Sequence, residues 1–150
     1  KQKSLNPTLS GVTSGFYDLD SFTQGFQKSD LIVIAGRPSM GKTALSLNIG
    51  LNIVKKLNLP ILFFSLEMSK EQLTYRLLTY ETNINSRRLR TGNLYKDDWV
   101  DLNTIIQKLS TLPLFIDDSP DLSIQDIRSK IKTIIFEHKL GKRNEFLSKL

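Results

Sequence analysis

Residues Gly36-Arg37-Pro38-Ser39-Met40-Gly41-Lys42-Thr43 have the types and the spacing that phosphate chemistry requires. They fit the pattern G-x-x-x-x-G-K-[ST]. Gly36 and Gly41 permit a tight turn through backbone angles that side chains block. Successive backbone N–H groups then point into one concavity and bind phosphate oxygens. A helix starting near Lys42 adds the positive end of its dipole. Lys42 places a cation on the β- and γ-phosphates, and the Thr43 hydroxyl ligates a Mg²⁺ ion that bridges them. The ligand implied is a nucleoside triphosphate, with ATP the first choice.

Three further groups of residues can carry chemistry. Glu67 directly follows an apolar run, where a carboxylate can face the γ-phosphate and polarise an attacking water. From position alone it can equally begin a loop or support a helix cap. Asp117 and Asp118 close another apolar run. That is the pattern of the Mg²⁺-supporting acid of P-loop enzymes, and also of a strand-end Asp that turns the chain before Pro120. Arg87, Arg88 and Arg90, with Lys96 nearby, form a basic cluster. It suits DNA phosphates or a neighbouring subunit, but a solvated loop explains it as well. His138, the only histidine, is assigned no role. No serine or threonine shows a nucleophile motif, and no metal-ligand cluster exists beyond the Mg²⁺ site.

These residues need elements to hold them. Leu31-Ile32-Val33-Ile34-Ala35 is a continuous, β-branched apolar run, which predicts a strand buried on both faces. From Lys42 to about Leu57 the chain has helix formers and no proline, and its apolar residues leave little polar face. A second strand is expected over Ile61–Leu66. Ser69 with Gln72 marks a capping box and a helix to about Tyr80. Residues 82–93 read as polar and basic with a break at Gly92. Another helix is expected over Asp97–Leu109 and a third strand over Leu114–Asp117. Ser123 with Asp126 opens a last helix to about Lys139, with Ile124, Ile127, Ile131, Ile134 and Ile135 inward. Ahead of all this, Phe16, Leu19 and Phe22 predict a short helix within Thr13–Phe22 whose burial docks the leading segment. Alternating strands and helices imply an α/β fold with a parallel sheet flanked by helices, and ligands beyond the carboxyl ends of its strands.

Composition sets the outer bounds. The chain has 150 residues, enough for one domain or part of one. It has no cysteine, which excludes disulfides and thiolate metal sites. No apolar run approaches the length needed to cross a bilayer, and the start leads into no apolar stretch of a secretory signal. A net charge of +6 favours polyanionic partners without identifying nucleic acid.

The spelling of the loop is narrower than the generic pattern. The stretch from Leu31 to Thr43, with Arg37-Pro38-Ser39-Met40 inside it, closely resembles the motor domain of the DnaB family of replicative DNA helicases. Gly15-Phe16-Tyr17-Asp18-Leu19-Asp20 resembles that family's approach to the motor domain. Phe64-Ser65-Leu66-Glu67-Met68-Ser69 resembles its second strand, and Pro113 to Pro120 with Leu122-Ser123-Ile124 its third strand and following helix.

The resemblance implies a RecA-like P-loop NTPase core, incomplete on its C-terminal side, and DNA unwinding at the replication fork coupled to ATP hydrolysis. It implies a ring-shaped homo-hexamer around single-stranded DNA, with primase and a loader among its partners, in the bacterial cytoplasm or plastid stroma. By the same resemblance Glu67 is the catalytic carboxylate, beside Lys42, and the Mg²⁺-supporting acid lies on a further strand rather than at Asp117. Lys139–Leu150 shows no apolar run closing on Asp. Residues 1–11 therefore read as a linker or arm, 12–140 as the N-terminal part of a motor domain, and 141–150 as an irregular or short helical tail. For such a piece alone, poor activity is expected. A nucleotide-binding module of the same fold that unwinds nothing is the alternative.

Overall fold

The structure, a computed structural model, describes residues 10–82 and 84–139. Its elements follow in the order α1 (Tyr17–Thr23), α2 (Lys42–Leu57), β1 (Ile61–Phe64), α3 (Lys70–Glu81), α4 (Ser86–Thr91), α5 (Lys96–Ser110), β2 (Leu114–Asp117) and α6 (Ile124–Lys139). β1 and β2 form a two-stranded sheet. Ile61 N–H donates to the Pro113 carbonyl and Ser65 N–H to that of Asp117, each at 2.9 Å. The equal offset at both ends makes the pair parallel. The tail read at 141–150 and most of the arm read at 1–11 lie outside the described residues.

The chain divides into two compact units, the first running to Ile61 and including Leu112–Phe115, the second taking Leu62–Thr111 and the residues from Ile116. The core of the first unit is α2, which buries Leu47, Ile49, Leu51, Ile53 and Val54. The sequence-based bounds of this helix hold. Asn58, in the left-handed region at φ 52°, caps it just ahead of Pro60.

The leading segment attaches to α2 differently from the sequence-based expectation. Phe16 lies outside α1 as its N-cap, so Phe16, Leu19 and Phe22 share no helix face, and Phe22 is 88% exposed. The attachment is polar instead. Asp20 is buried and accepts hydrogen bonds from the Ser14 N–H at 2.8 Å, the Ser14 hydroxyl at 2.7 Å and the Thr13 hydroxyl. Burial alone raises its pKa, but the bonds from Thr13 and Ser14 outweigh it and hold the carboxyl below the ordinary Asp value. Asn52 of α2 then donates to the Ser14 carbonyl at 3.2 Å. Gly15 (φ +85°) sits so close that an added Cβ lies 2.3 Å from the Asn52 amide nitrogen.

The expected strand over Leu31–Ala35 does not form. Leu31 is 90% exposed, Val33 is also exposed, and the run has no ladder partner among the described residues. β-branched composition describes how well a residue fits a pleated, covered surface. It cannot replace a neighbouring strand, and among the described residues β1 pairs only with β2.

In the second unit α3, α4 and α5 pack around Leu78, Ile84, Leu89 and Leu102. α4 falls where the sequence read only a polar stretch. The Asn85 side chain caps it by accepting from the Arg87 N–H at 2.9 Å, and Gly92 (φ 70°) ends it. Both capping boxes read from sequence supply caps here. Ser69 Oγ accepts from the Gln72 N–H at 3.4 Å, and Ser123 Oγ from the Asp126 N–H at 3.2 Å. α6 has the expected bounds but not the expected inward face: of its isoleucines only Ile134 is buried, and Ile124 is 78% exposed. Isoleucines at helical spacing need a covering layer, and among the described residues this face is covered only in part, at Ile134 and less completely at Ile127.

Candidate functional site

The glycine-rich loop is built by backbone geometry. Ser39 (φ 65°) and Gly41 (φ 86°) both lie in the left-handed region, on either side of Met40. Alternation of this kind turns successive N–H groups to one side, the concavity that binds anions. The Met40 N–H closes a turn onto the Arg37 carbonyl at 3.3 Å.

α2 begins at once on Lys42. Its N-cap is Gly41, no side chain caps it, and no acidic residue lies in its first turn. The helix therefore presents its first N–H groups and the positive end of its dipole with no capping side chain among the described residues. Lys42 Nζ donates to the Arg37 carbonyl at 3.3 Å, a long bond that an anion easily displaces. Residues 36–41 are exposed, and Lys42 and Thr43 are half-buried. A donor set of backbone N–H groups, one ammonium and one hydroxyl suits phosphate oxygens and a hard cation.

Glu67 lies on a short loop in the second unit, and the loop is pinned along its length. Buried Ser65 donates from Oγ to the Met68 carbonyl at 2.6 Å and accepts from the Met68 N–H at 3.2 Å. These two bonds fold the chain tightly around Leu66 and Glu67, and leave Glu67 exposed. At the far end of the loop, the Lys70 N–H donates to Asp118 Oδ2 at 2.8 Å.

The two aspartates at the end of β2 are thus committed to structure. Asp118 holds the start of α3. Asp117 pairs with Lys130 of α6 and accepts from the Ser119 N–H at 3.0 Å. Lys130 also donates to Ser119 Oγ at 2.7 Å. Burial raises the Asp117 pKa, and the bonds from Lys130 and Ser119 more than reverse this, leaving the carboxyl below its ordinary value. The pattern of apolar run and Asp that suggested a metal acid is here a strand-end ion pair. Among the described residues, no group of three His, Cys, Asp or Glu side chains is placed to hold a metal.

The basic cluster is not a uniform patch. Arg88 pairs with Asp98, donates from Nε to the Asn93 carbonyl at 3.2 Å and stacks over the Tyr95 ring at 4.2 Å. Arg87, Arg90 and Lys96 are exposed, and Arg90 lines an apolar cavity of about 680 Å³ with Tyr75, Trp99 and Ile106. The His138 side chain lies outside the described residues. Residue-by-residue reading gave Ser65 no role and named Asp118 only with Asp117 as a strand-end acid, not as the partner of the Lys70 N–H. The only signal for the second was its place beside Asp117, whose position at the strand end is the more conspicuous.

Known proteins supply an independent comparison. Residues 11–142 match the family described as the DnaB-like helicase C terminal domain. A probable replicative DNA helicase of Trieres chinensis is 70% identical over 137 residues, which cover 91% of this chain and 30% of that protein. The replicative DNA helicase DnaB of a Nostoc strain is 48% identical over 134 residues, covering 89% of this chain and 15% of that one.

Among solved structures, one ATPase domain superposes with a TM-score of 0.79 at 32% identity, over 87% of this chain and 46% of that one. A DnaB-like replicative helicase, solved to show its interactions with primase, superposes with a TM-score of 0.78 at 31% identity, over 88% of this chain and 32% of that one. The α/β architecture is thus that of RecA-like helicase ATPase domains, and the chain belongs to the DnaB-like helicase C-terminal domain family.

Proposed function

We propose that this chain is the nucleotide-binding part of a replicative DNA helicase that couples ATP hydrolysis to unwinding. The observation that carries the proposal is the loop itself: two left-handed residues, Ser39 and Gly41, leading into a helix start with no capping side chain, with Lys42 at the junction. Family membership directs that cradle toward helicase chemistry.

In this reading the loop from Gly36 to Thr43 holds the phosphates of ATP. Lys42 neutralises charge that grows on the β- and γ-phosphates, and Glu67 orients and deprotonates the attacking water. Thr43 would hold a Mg²⁺ ion, which when bound would supply Lewis acidity to the phosphates. Lys42 is preset for its task, since a long bond to a carbonyl is all that an incoming phosphate must displace. Glu67 is exposed on a pinned loop, ready to accept a proton from water. The assembly proposed is a homo-hexamer around single-stranded DNA, with primase and a loader as partners, in bacterial cytoplasm or plastid stroma. No described helix is long and apolar enough to cross a membrane. Residues 12–140 are assigned to the motor domain, with an arm before and a tail after.

The test uses full-length protein. Glu67→Gln is expected to lower DNA-stimulated ATP hydrolysis by about 10² or more while nucleotide binding persists. Retained hydrolysis in that variant would remove Glu67 from the mechanism. Absence of Mg²⁺-dependent ATP binding by the unaltered protein would end the proposal.

A further inference from the structure

We infer that Asp118 is a positioning residue that acts through Glu67, an inference that rests on the reading of Glu67 as the base. The argument follows hydrogen bonds within the second unit. The segment from Ser65 to Lys70 leaves β1, passes through Glu67 and enters α3. Its first half is closed by the two bonds between Ser65 Oγ and Met68. Its second half is tied to another part of the chain by the Lys70 N–H, which donates to Asp118 Oδ2 at 2.8 Å across a sequence separation of 48.

That bond is well chosen in type. Lys70 is the first residue of α3, where a backbone N–H has no partner within the helix. A carboxylate there gains from charge assistance and from the helix dipole. Asp118 is itself held from behind. Its neighbour Asp117 is paired with Lys130 and turned by Ser119, which stops the end of β2 from swinging. Two anchors therefore bracket Glu67: Ser65 two residues before it and Asp118 at Lys70 three residues after it. A general base loses rate steeply when displaced, by about 10²-fold for a shift near 1 Å. Removing one anchor leaves Glu67 chemically intact but poorly aimed.

The geometry supplies variants for both ends of the bond. Asp118→Ala removes the acceptor, and Asp118→Asn keeps an acceptor oxygen. Lys70→Pro removes the donor at a position where proline suits a helix. Ser69, at φ −68° and ψ 157°, already has the conformation that a following proline favours. Lys70→Ala keeps the N–H and controls for the side chain.

In full-length protein with DNA present, Asp118→Ala and Lys70→Pro are each expected to lower kcat for ATP hydrolysis by about 10- to 100-fold. Nucleotide affinity should stay within about threefold, because the phosphate loop is untouched. Asp118→Asn and Lys70→Ala should retain kcat within about threefold. Should Asp118→Ala fail to fold, Lys70→Pro carries the test. Unchanged kcat in the folded loss-of-bond variants, with Glu67→Gln inactive, overturns the positioning role and leaves Glu67 as the base. An active Glu67→Gln overturns both together.

Discussion

The loop from Gly36 to Thr43 and the loop from Ser65 to Lys70 solve opposite problems. The first is held open by backbone angles: two left-handed residues, an uncapped helix start and a lysine on a 3.3 Å bond. The second is held closed by side chains: the Ser65 hydroxyl on one side and Asp118 on the other. The difference follows from charge. A concavity that takes an anion is completed by its ligand, so protein partners there only compete. In the proposed function Glu67 moves one proton, gains nothing from a ligand's grip and is aimed beforehand.

Four experiments can break or sharpen that contrast. The largest effect is expected at Lys42. Lys42→Ala should weaken ATP binding by about 100-fold, the cost of one charge-assisted contact, with melting temperature unchanged. A comparable fall in stability would show that the open loop depends on Lys42 for its fold.

Next is Asp20, whose carboxylate clasps Thr13 and Ser14 and so fixes the segment against α2. Asp20→Asn replaces one accepting oxygen with an NH2 donor facing the Thr13 or Ser14 donors and should cost about 2 kcal/mol in denaturant unfolding. Its pH dependence has a defined sign. The carboxyl sits below its ordinary value in the folded state. Its contribution is therefore complete above about pH 4 and fades as pH falls through the lowered folded pKa. Above about pH 4 the variant should be the less stable protein, and the gap should narrow in acid. A gap that widens on acidification contradicts the clasp.

Ser65→Ala should cost about 1 kcal/mol, because the Met68 N–H and carbonyl lose their shared partner. Hydrolysis should fall alongside, and full activity with normal stability would mean the loop needs no pinning. The smallest effect is at Ser39. Glycine there relieves a left-handed Cβ, offset by its chain entropy, for a net gain of about 0.5 kcal/mol. Nucleotide affinity should be unaltered. A clear loss of affinity in Ser39→Gly would assign the hydroxyl a role that backbone geometry alone does not need.

Much of this was legible along the chain. α2 and α6 begin and end where composition and capping placed them, and β2 matches residue for residue. The helix bounds are set within a few residues, by an N-cap, a glycine or asparagine stop and a break in apolar spacing, whereas β2 also has the pairing with β1 that completes it. α4 was missed because its signal is one Asn cap on six residues. The error over α1 had a different source. Aromatic spacing was read as a buried face, whereas a buried aspartate, 6% exposed, fastens that segment. Its partners stand six and seven positions upstream, beyond any helical period.

The glycine-rich loop was legible in place and in Gly41, whereas Gly36 does not take the left-handed angle expected of it and Ser39 does. Its parts all lie within a few residues, so Gly41 and Lys42 at their fixed offsets already locate the cradle. The same string also predicted a strand at Leu31–Ala35, and there local preference did not decide, because a strand requires a partner from elsewhere. The roles of Asp117 and Asp118 likewise lay with tertiary structure. Adjacent and identical in type, they part only when Lys130 and the Lys70 N–H, far away in sequence, arrive at their carboxylates.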